Sequence, residues 1–233
     1  MINGKRVAGI IGGMGPLATA DLFTKIVNMT EAARDQDHIH ILIDNNIDIP
    51  DRTAAILSGG EDPLPYLTAS AQRLRAQGAD FLLMPCNTAH YFRDALSETA
   101  DIPLLHMPRL TALECQRRGL KKVGLLATTG TIQSGVYAKA FEGSGVELLL
   151  PDADGMKALM TIIYDEVKAG KTPHPEALYP SLKTMQQQGA EAFLLACTEL
   201  PIAFANDQAF SYIDPTEILA AETIRQCGGK VKE

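Results

Sequence analysis

The chain has 233 residues, 46% of them hydrophobic and 21% charged, enough apolar material for one large α/β unit or two domains of about 100 residues each. Its net charge of −7 argues against nucleic-acid binding, and no apolar run approaches the roughly 20 residues that cross a bilayer. The apolar run behind Lys5 and Arg6, VAGII, is too short for the core of a secretion signal, so a cytoplasmic protein is expected, with no nucleic acid and no membrane among its partners.

Strand-like and helical patterns alternate along the chain. VAGII (7–11) reads as a strand and 16–33 as a helix with Pro16 in its first turn, where a missing N–H costs nothing. IHILIDNN (39–46) is the next strand, 64–78 a helix stopped by Gly78, DFLLMP (80–85) a strand and 88–100 a helix. PLLHM (103–107) is a short strand-like piece before a helix over 109–118. KVGLLAT (122–128) follows, then a helix over 134–143, the strand VELLL (146–150), and helices near 154–169 and 175–188. The last units are AFLLAC (192–197), a short helix, FSYI (210–213) and a terminal helix that Asp214 can cap, with Pro215 at its first position. Continuous apolar strands between helices predict parallel sheets covered on both faces.

Two segments repeat. QGADFLLMPCNT (77–88) aligns with QGAEAFLLACTE (188–199), each a helix end, a glycine stop, a buried strand and a cysteine. An earlier pair, VAGIIGGMGPLAT (7–19) and VGLLATTGTI (123–132), matches a strand and a small-residue loop in the same order. The chain therefore reads as two related α/β halves. The first domain is expected over 1–104 and 211–233, the second over 105–210.

The repeat gives two cysteines meaning. Cys86, Cys115, Cys197 and Cys227 are widely spaced with no CxxC, so neither a zinc ribbon nor a dithiol redox motif is indicated. Cys86 and Cys197 fall at predicted strand ends, each ahead of a helix, where ligands bind in open parallel sheets and where a helix start lowers a thiol pKa. Racemisation at a carbon acid is the clearest reaction that needs the same residue type twice. One group removes a proton from one face, the other delivers one to the opposite face, and the reverse reaction swaps them. Thiols ionise near enough to neutrality for both roles.

The motifs GGMGPLAT (12–19), IPDRT (49–53), MPCNTAH (84–90), LLATTGT (125–131) and ACTE (196–199) carry a resemblance. The sequence resembles the cofactor-independent aspartate racemases of the aspartate/glutamate racemase superfamily, over roughly residues 5–226. That resemblance implies an L-/D-aspartate racemase, an isomerase with two similar open parallel-sheet α/β domains related by a pseudo-twofold axis and the active site between them. It implies Cys86 and Cys197 as the catalytic pair, a small acidic amino acid as substrate, no pyridoxal phosphate, no metal and a homodimer. Position by position it implies Arg52 and Lys168 near the side-chain carboxylate, and Asn87, Thr88 and Thr198 around the α-carboxylate and amino group. Met14, Thr129 and Glu199 complete the implied substrate contacts. Glutamate racemases of the superfamily usually read CTH after the second cysteine where this chain has CTE.

Competing readings remain for single residues. GMGPLA (13–18) satisfies a dinucleotide fingerprint, but it explains neither cysteine. His38 and His40 alternate like a metal pair without a third ligand. His90 and His106 either support the site or pack. Arg52 can be a surface charge partnered by Asp51, Lys168 a helix C-terminal cation and Glu199 a helix cap. Cys115 and Cys227 are expected to be structural. Glutamate or broad-specificity racemisation, a non-catalytic acidic-ligand-binding protein and a thiol redox protein are the alternative functions.

Overall fold

A computed structural model of the chain describes residues 5–232. Residues 1–4 and 233, which the expected first domain includes, lie outside the described residues. The chain divides into two compact units, Met1–Met107 with Thr216–Glu233, and Pro108–Pro215.

In the first unit β1 (Ala8–Gly12) is buried at all five positions, as a central parallel strand must be. It leads into α1 (Pro16–Met29), which starts with proline at a position that needs no N–H. β2 (Ile41–Asn45) follows. Next come α2 (Arg52–Leu57), whose start is capped by the Asp51 carboxylate, and α3 (Leu64–Ala76). β3 (Phe81–Leu83) completes a parallel sheet in the order β2-β1-β3. The predicted helix over 88–100 begins as a 3-10 turn, Thr88–Phe92, and continues as α4 (Arg93–Ala100). The predicted strand PLLHM contributes a single parallel bridge, Leu104 to Leu82. The Leu82 N–H donates to the Pro103 carbonyl at 2.7 Å, and the Leu105 N–H to the Leu82 carbonyl at 2.9 Å.

The second unit repeats this order. α5 (Met107–Arg117) leads to β4 (Lys122–Leu126). A short helix that the sequence reading took as loop, α6 (Thr129–Gln133), comes first; the predicted helix over 134–143 is α7 (Val136–Phe141), with Gly135 at φ +69° between them. β5 (Glu147–Leu149) and α8 (Ala153–Met160) follow. α8 widens into a π-helical turn, Thr161–Val167, with the Lys168 N–H bonded five residues back to the Ile163 carbonyl. α9 (Tyr179–Gln187), β6 (Ala192–Leu195), α10 (Leu200–Ala203) and β7 (Tyr212–Ile213) complete a parallel sheet ordered β5-β4-β6-β7. α11 (Pro215–Gln226) then returns the chain to the first unit.

The expected domain boundary needs one correction. FSYI (210–213) was expected with the first domain, but β7 pairs with β6, Phe193 opposite Tyr212 and Leu194 opposite Ile213. The Tyr212 ring packs among Phe193, Phe204 and Phe210, so its apolar surface is satisfied in the second sheet. β7 thus occupies beside β6 the place that the Leu104 bridge occupies beside β3.

Two local features hold the first sheet's carboxyl edge. Gly13 has φ +92°, and a Cβ there would lie 2.1 Å from the Asn46 carbonyl oxygen, because the turn leaving β1 presses on the turn leaving β2. The second is His90, which is buried. Its Nδ1 lies 2.9 Å from the Cys86 carbonyl, and its Nε2 accepts the Met107 N–H at 3.2 Å. A carbonyl can only accept, so Nδ1 carries the proton and the ring is one neutral tautomer. Burial first, and the neighbouring His106 second, push its pKa down from 6.5 to about 4.

Replacing Gly13 with alanine combines a forbidden φ with a backbone clash, so it should cost more than the roughly 1–3 kcal/mol of conformational strain alone. Gly119→Ala, at φ +75° with open space around it, should cost only the strain, and urea denaturation of both variants makes the comparison. The neutral His90 contributes stability that is complete above pH 6.5 and is lost as pH falls through about 4. The loss should reach about 3 kcal/mol. The urea midpoint of the wild type should therefore fall more steeply over that window than that of His90→Gln; parallel slopes would contradict the assignment.

Candidate active site

β1 and β3 run side by side with Ile10 opposite Leu83, which brings the turns leaving them to one edge of the first sheet. The first turn carries Met14, and the second carries Cys86, Asn87 and Thr88, all buried. Cys86 is 7% exposed and packs in one apolar cluster with Met14, Ile49 and Ala89. Among the described residues its Sγ has no hydrogen-bond partner.

Arg52, the first residue of α2, is not the surface charge of the bland reading, since it is only 9% exposed. Nor is Asp51 its partner, because the Asp51 carboxylate accepts the Ala54 N–H at 2.7 Å. The guanidinium turns inward to three carbonyls: Nη1 donates to Pro50 at 2.8 Å and Ile49 at 3.2 Å, and Nη2 to Met14 at 3.3 Å. Its Nε is buried without a partner. Among the described residues no carboxylate pairs with this buried cation. A buried charge without a counter-ion is costly, and the three carbonyls offset part of that cost.

In the second unit Leu126 lies opposite Leu195, and the Ala196 N–H donates to the Leu126 carbonyl at 2.8 Å. The turns leaving β4 and β6 are thereby neighbours. The former carries Thr129, which opens α6 and borders a shallow depression lined by Ile132, Leu150 and Met156. The latter carries Cys197, Thr198 and Glu199. The Cys197 thiol donates to Glu199 Oε2 at 2.9 Å, and the Thr198 hydroxyl reaches the same oxygen at 3.3 Å. Glu199 Oε1 faces Lys168 Nζ at 3.9 Å, and that ammonium lies 4.6 Å from the centre of the Tyr164 ring. Glu199 precedes α10 but makes no cap hydrogen bond. Its side chain serves the thiol.

The expectation that a helix start lowers both thiols is corrected at Cys197. Burial first, then the charge and hydrogen bond of Glu199, push this thiol well above its ordinary value, and Lys168 opposes them. α10 has four residues and the turn after Cys86 is 3-10, so few peptide dipoles are aligned behind either sulfur.

The remaining candidates fall outside these two clusters. His38 closes a 3-10 turn, Asp35–Asp37, and no group of three His, Cys, Asp or Glu is placed for a metal among the described residues. Cys115 and Cys227 are buried, and burial pushes each thiol up to about 11. All four thiols are free. Gly13, the first glycine of GMGPLA, is explained without a dinucleotide, since it abuts Asn46. The sequence reading missed Tyr164 beside Lys168, for which the four-residue spacing on one helical face was the available signal. It also missed the Glu199–thiol contact, which the two-residue spacing in CTE permits.

The sequence pattern of the Asp/Glu/hydantoin racemase family matches residues 11–223. Among solved structures, the aspartate racemase of Picrophilus torridus superposes with a TM-score of 0.85 at 33% identity, over 97% of this chain and 96% of that one. An aspartate racemase homologue from Pyrococcus horikoshii gives 0.79 at 27% identity, over 96% and 99% of the two chains. The broad specificity amino-acid racemase RacX of Bacillus subtilis is 29% identical over 230 residues, 93% of this chain and 96% of its own. The chain belongs to the Asp/Glu/hydantoin racemase family, and it is an isomerase, an amino-acid racemase.

Proposed function

We propose that the protein interconverts L- and D-aspartate by proton transfer at Cα between two thiols, without pyridoxal phosphate. The observation that carries this reading is the duplication. Cys86 follows the third strand of one parallel sheet, Cys197 follows its counterpart in a second sheet of the same order, and each is followed by a threonine within two residues. In each direction one cysteine, as thiolate, removes the Cα proton, and the other, as thiol, protonates the carbanion on the opposite face. Asn87, Thr88, Thr129 and Thr198, with the backbone N–H groups beside the cysteines, hold the α-carboxylate and amino group and stabilise the charge that develops on deprotonation. Met14 supplies apolar contact.

The choice of an acidic substrate rests on Arg52 and Lys168. The net charge of −7 repels an anionic amino acid at long range, so local cations must offset it. Arg52 is a buried guanidinium with no carboxylate partner among the described residues, which suits the side-chain carboxylate of aspartate. The aspartate racemase of P. torridus supports aspartate as the substrate. The likeness to a broad specificity racemase supports a second reading, in which glutamate and other amino acids also turn over. A homodimer belongs to the same reading, and sedimentation of the purified chain tests it.

In deuterated water, without added cofactor, L-aspartate and D-aspartate should each lose the Cα proton by NMR and approach a racemic mixture by chiral chromatography. Cys86→Ser and Cys197→Ser should each lower racemisation by at least about a hundredfold, as expected when a positioned acid or base is removed. Exchange with glutamate but not aspartate would move the substrate assignment. Silence on both would remove the racemase mechanism written here. The rate should fall on both sides of a pH optimum, since one thiol must be ionised and the other protonated.

A further inference from the structure

The two cysteine turns satisfy their first carbonyl differently. After Cys197 the Leu200 N–H donates to the Cys197 carbonyl at 2.9 Å, so the backbone closes that turn by itself. After Cys86 the chain enters a 3-10 turn, in which the His90 N–H bonds three residues back to the Asn87 carbonyl at 3.2 Å. An α-helical turn would have sent that N–H to Cys86. The Cys86 carbonyl instead meets the His90 ring, with Nδ1 at 2.9 Å, which supplies the donor that a carbonyl of a buried residue needs.

His90 has no counterpart in the repeat. The residue four positions after Cys197 is Pro201, which has no polar side-chain atom, and the second unit still forms its strand, turn and helix. The scaffold therefore does not require an imidazole at this place. What the imidazole adds is a link. Its Nε2 accepts the Met107 N–H at 3.2 Å, and Met107 is the residue at which the chain leaves the first unit. One planar ring, 3% exposed, joins the Cys86 peptide to that exit. The His106 ring lies beside it, centre to centre at 5.4 Å, and Arg93 and the Leu105 carbonyl are within its electrostatic reach.

We propose that His90 is a positioning residue of racemisation: it fixes the Cys86 peptide to the Met107 peptide and so sets where Cys86 Sγ points. The proposal rests on the two-thiol racemase reading above and adds to it the device that aims one thiol. Cys86 packs in an apolar cluster with Met14, Ile49 and Ala89, and apolar packing is non-directional. The direction of Sγ comes from the Cα–Cβ bond, and holding the carbonyl holds the peptide plane against that bond. A misplacement of about 1 Å at a reacting atom costs about a hundredfold in rate. Cys197 does not depend on this ring, because backbone holds its carbonyl.

Two substitutions separate the two contacts of the ring. Asparagine carries an amide nitrogen at the place of Nδ1 and can keep the bond to the Cys86 carbonyl, but it is too short for Met107. Glutamine reaches the place of Nε2 and can keep Met107, but it leaves the Cys86 carbonyl without a side-chain donor. Each variant loses one buried hydrogen bond, so both should lower the urea midpoint by similar amounts. Per folded molecule, His90→Asn should keep kcat for L-aspartate within about fivefold. His90→Gln should lower kcat by about a hundredfold with KM within about twofold, since the groups that bind substrate are untouched. Wild-type kcat in both variants, or His90→Asn as damaged as His90→Gln, would make His90 a structural residue and overturn the proposal.

The second test is one-sidedness. Racemisation has an equilibrium constant of one, so kcat/KM is the same in both directions for any variant and cannot show which thiol has moved. β-Elimination can. From 3-chloroaspartate a thiolate removes the Cα proton, the C–H electrons form the Cα–Cβ double bond and chloride leaves. The enamine then hydrolyses to oxaloacetate and ammonia, and each enantiomer needs only the cysteine on its own face. Cys86→Ser should abolish elimination from one enantiomer of threo-3-chloroaspartate and spare the other, which identifies the enantiomer that Cys86 serves. His90→Gln should lower elimination from that same enantiomer by about a hundredfold and leave the other within about twofold. Equal losses for both enantiomers would mean that the ring holds the whole unit rather than one thiol, and no loss for either would remove it from the reaction; both results overturn the proposal. If the wild type catalyses neither elimination nor Cα exchange on aspartate, the racemase reading itself has failed and the proposal falls with it.

Discussion

Parallel pairing of β1 with β3, and of β4 with β6, decides where every reactive group can be. Ile10 opposite Leu83 and Leu126 opposite Leu195 make the paired strands end at the same level. The chain must then turn at the carboxyl edge, since the strands are buried on both faces and have no surface along which to continue. Met14, the cysteines, the threonines and Glu199 all lie in those turns. A one-residue slip in a strand register would exchange the faces of its side chains and unseat the buried leucines, so the same apolar contacts that stabilise the sheets aim the thiols. Each fully buried leucine or isoleucine in these strands contributes on the order of 1.5–3 kcal/mol. Register is therefore enforced by much more free energy than any single polar contact of the site supplies.

The polar groups brought into those turns solve their burial in different ways. His90 remains neutral and divides its two nitrogens between a carbonyl and an N–H. Arg52 cannot lose its proton, so it recruits three carbonyls and leaves Nε unsatisfied. Glu199 shares itself between a thiol and an ammonium. The first is a finished structural contact, with a single tautomer and no spare valence. The other two carry charge: a buried cation with no carboxylate partner among the described residues, and a buried carboxylate that accepts from a thiol and faces an ammonium.

Much of this was legible in the sequence because strands and glycine stops are local. QGADFLLMPC and QGAEAFLLAC announce a helix end, a buried strand and a cysteine by composition alone, and the structure has these elements in place. What was not legible depends on partners far along the chain. FSYI reads as a strand wherever it pairs, and only the aromatic cluster around Phe193 assigns it to the second sheet. The π turn before Lys168 is a change of pitch within a helical pattern, and α6 is a five-residue helix inside a small-residue loop, too short to show an apolar period. The competing reading of Arg52 as an exposed charge could not be settled from sequence because its three acceptors are backbone carbonyls, which carry no signature there. The competing reading of Glu199 as a cap could not be settled from sequence either, because only the carboxylate's rotation turns it to the Cys197 thiol and away from the helix start.

A duplicated scaffold with divergent polar groups is what a racemase of a chiral substrate requires. The reaction treats its two directions alike, and that favours equal bases on equal scaffolds. The substrate does not share this symmetry: around Cα its carboxylate, ammonium and side chain differ, so the groups that hold them cannot be repeated in both halves. The first unit spends its divergence on Arg52 and His90, the second on Lys168 and Glu199. Cys86 and Cys197 consequently keep the same place in the topology but lose the same environment. For Cys197, burial and the Glu199 carboxylate against its thiol both disfavour ionisation, while Cys86 lies in an apolar cluster with Met14, Ile49 and Ala89.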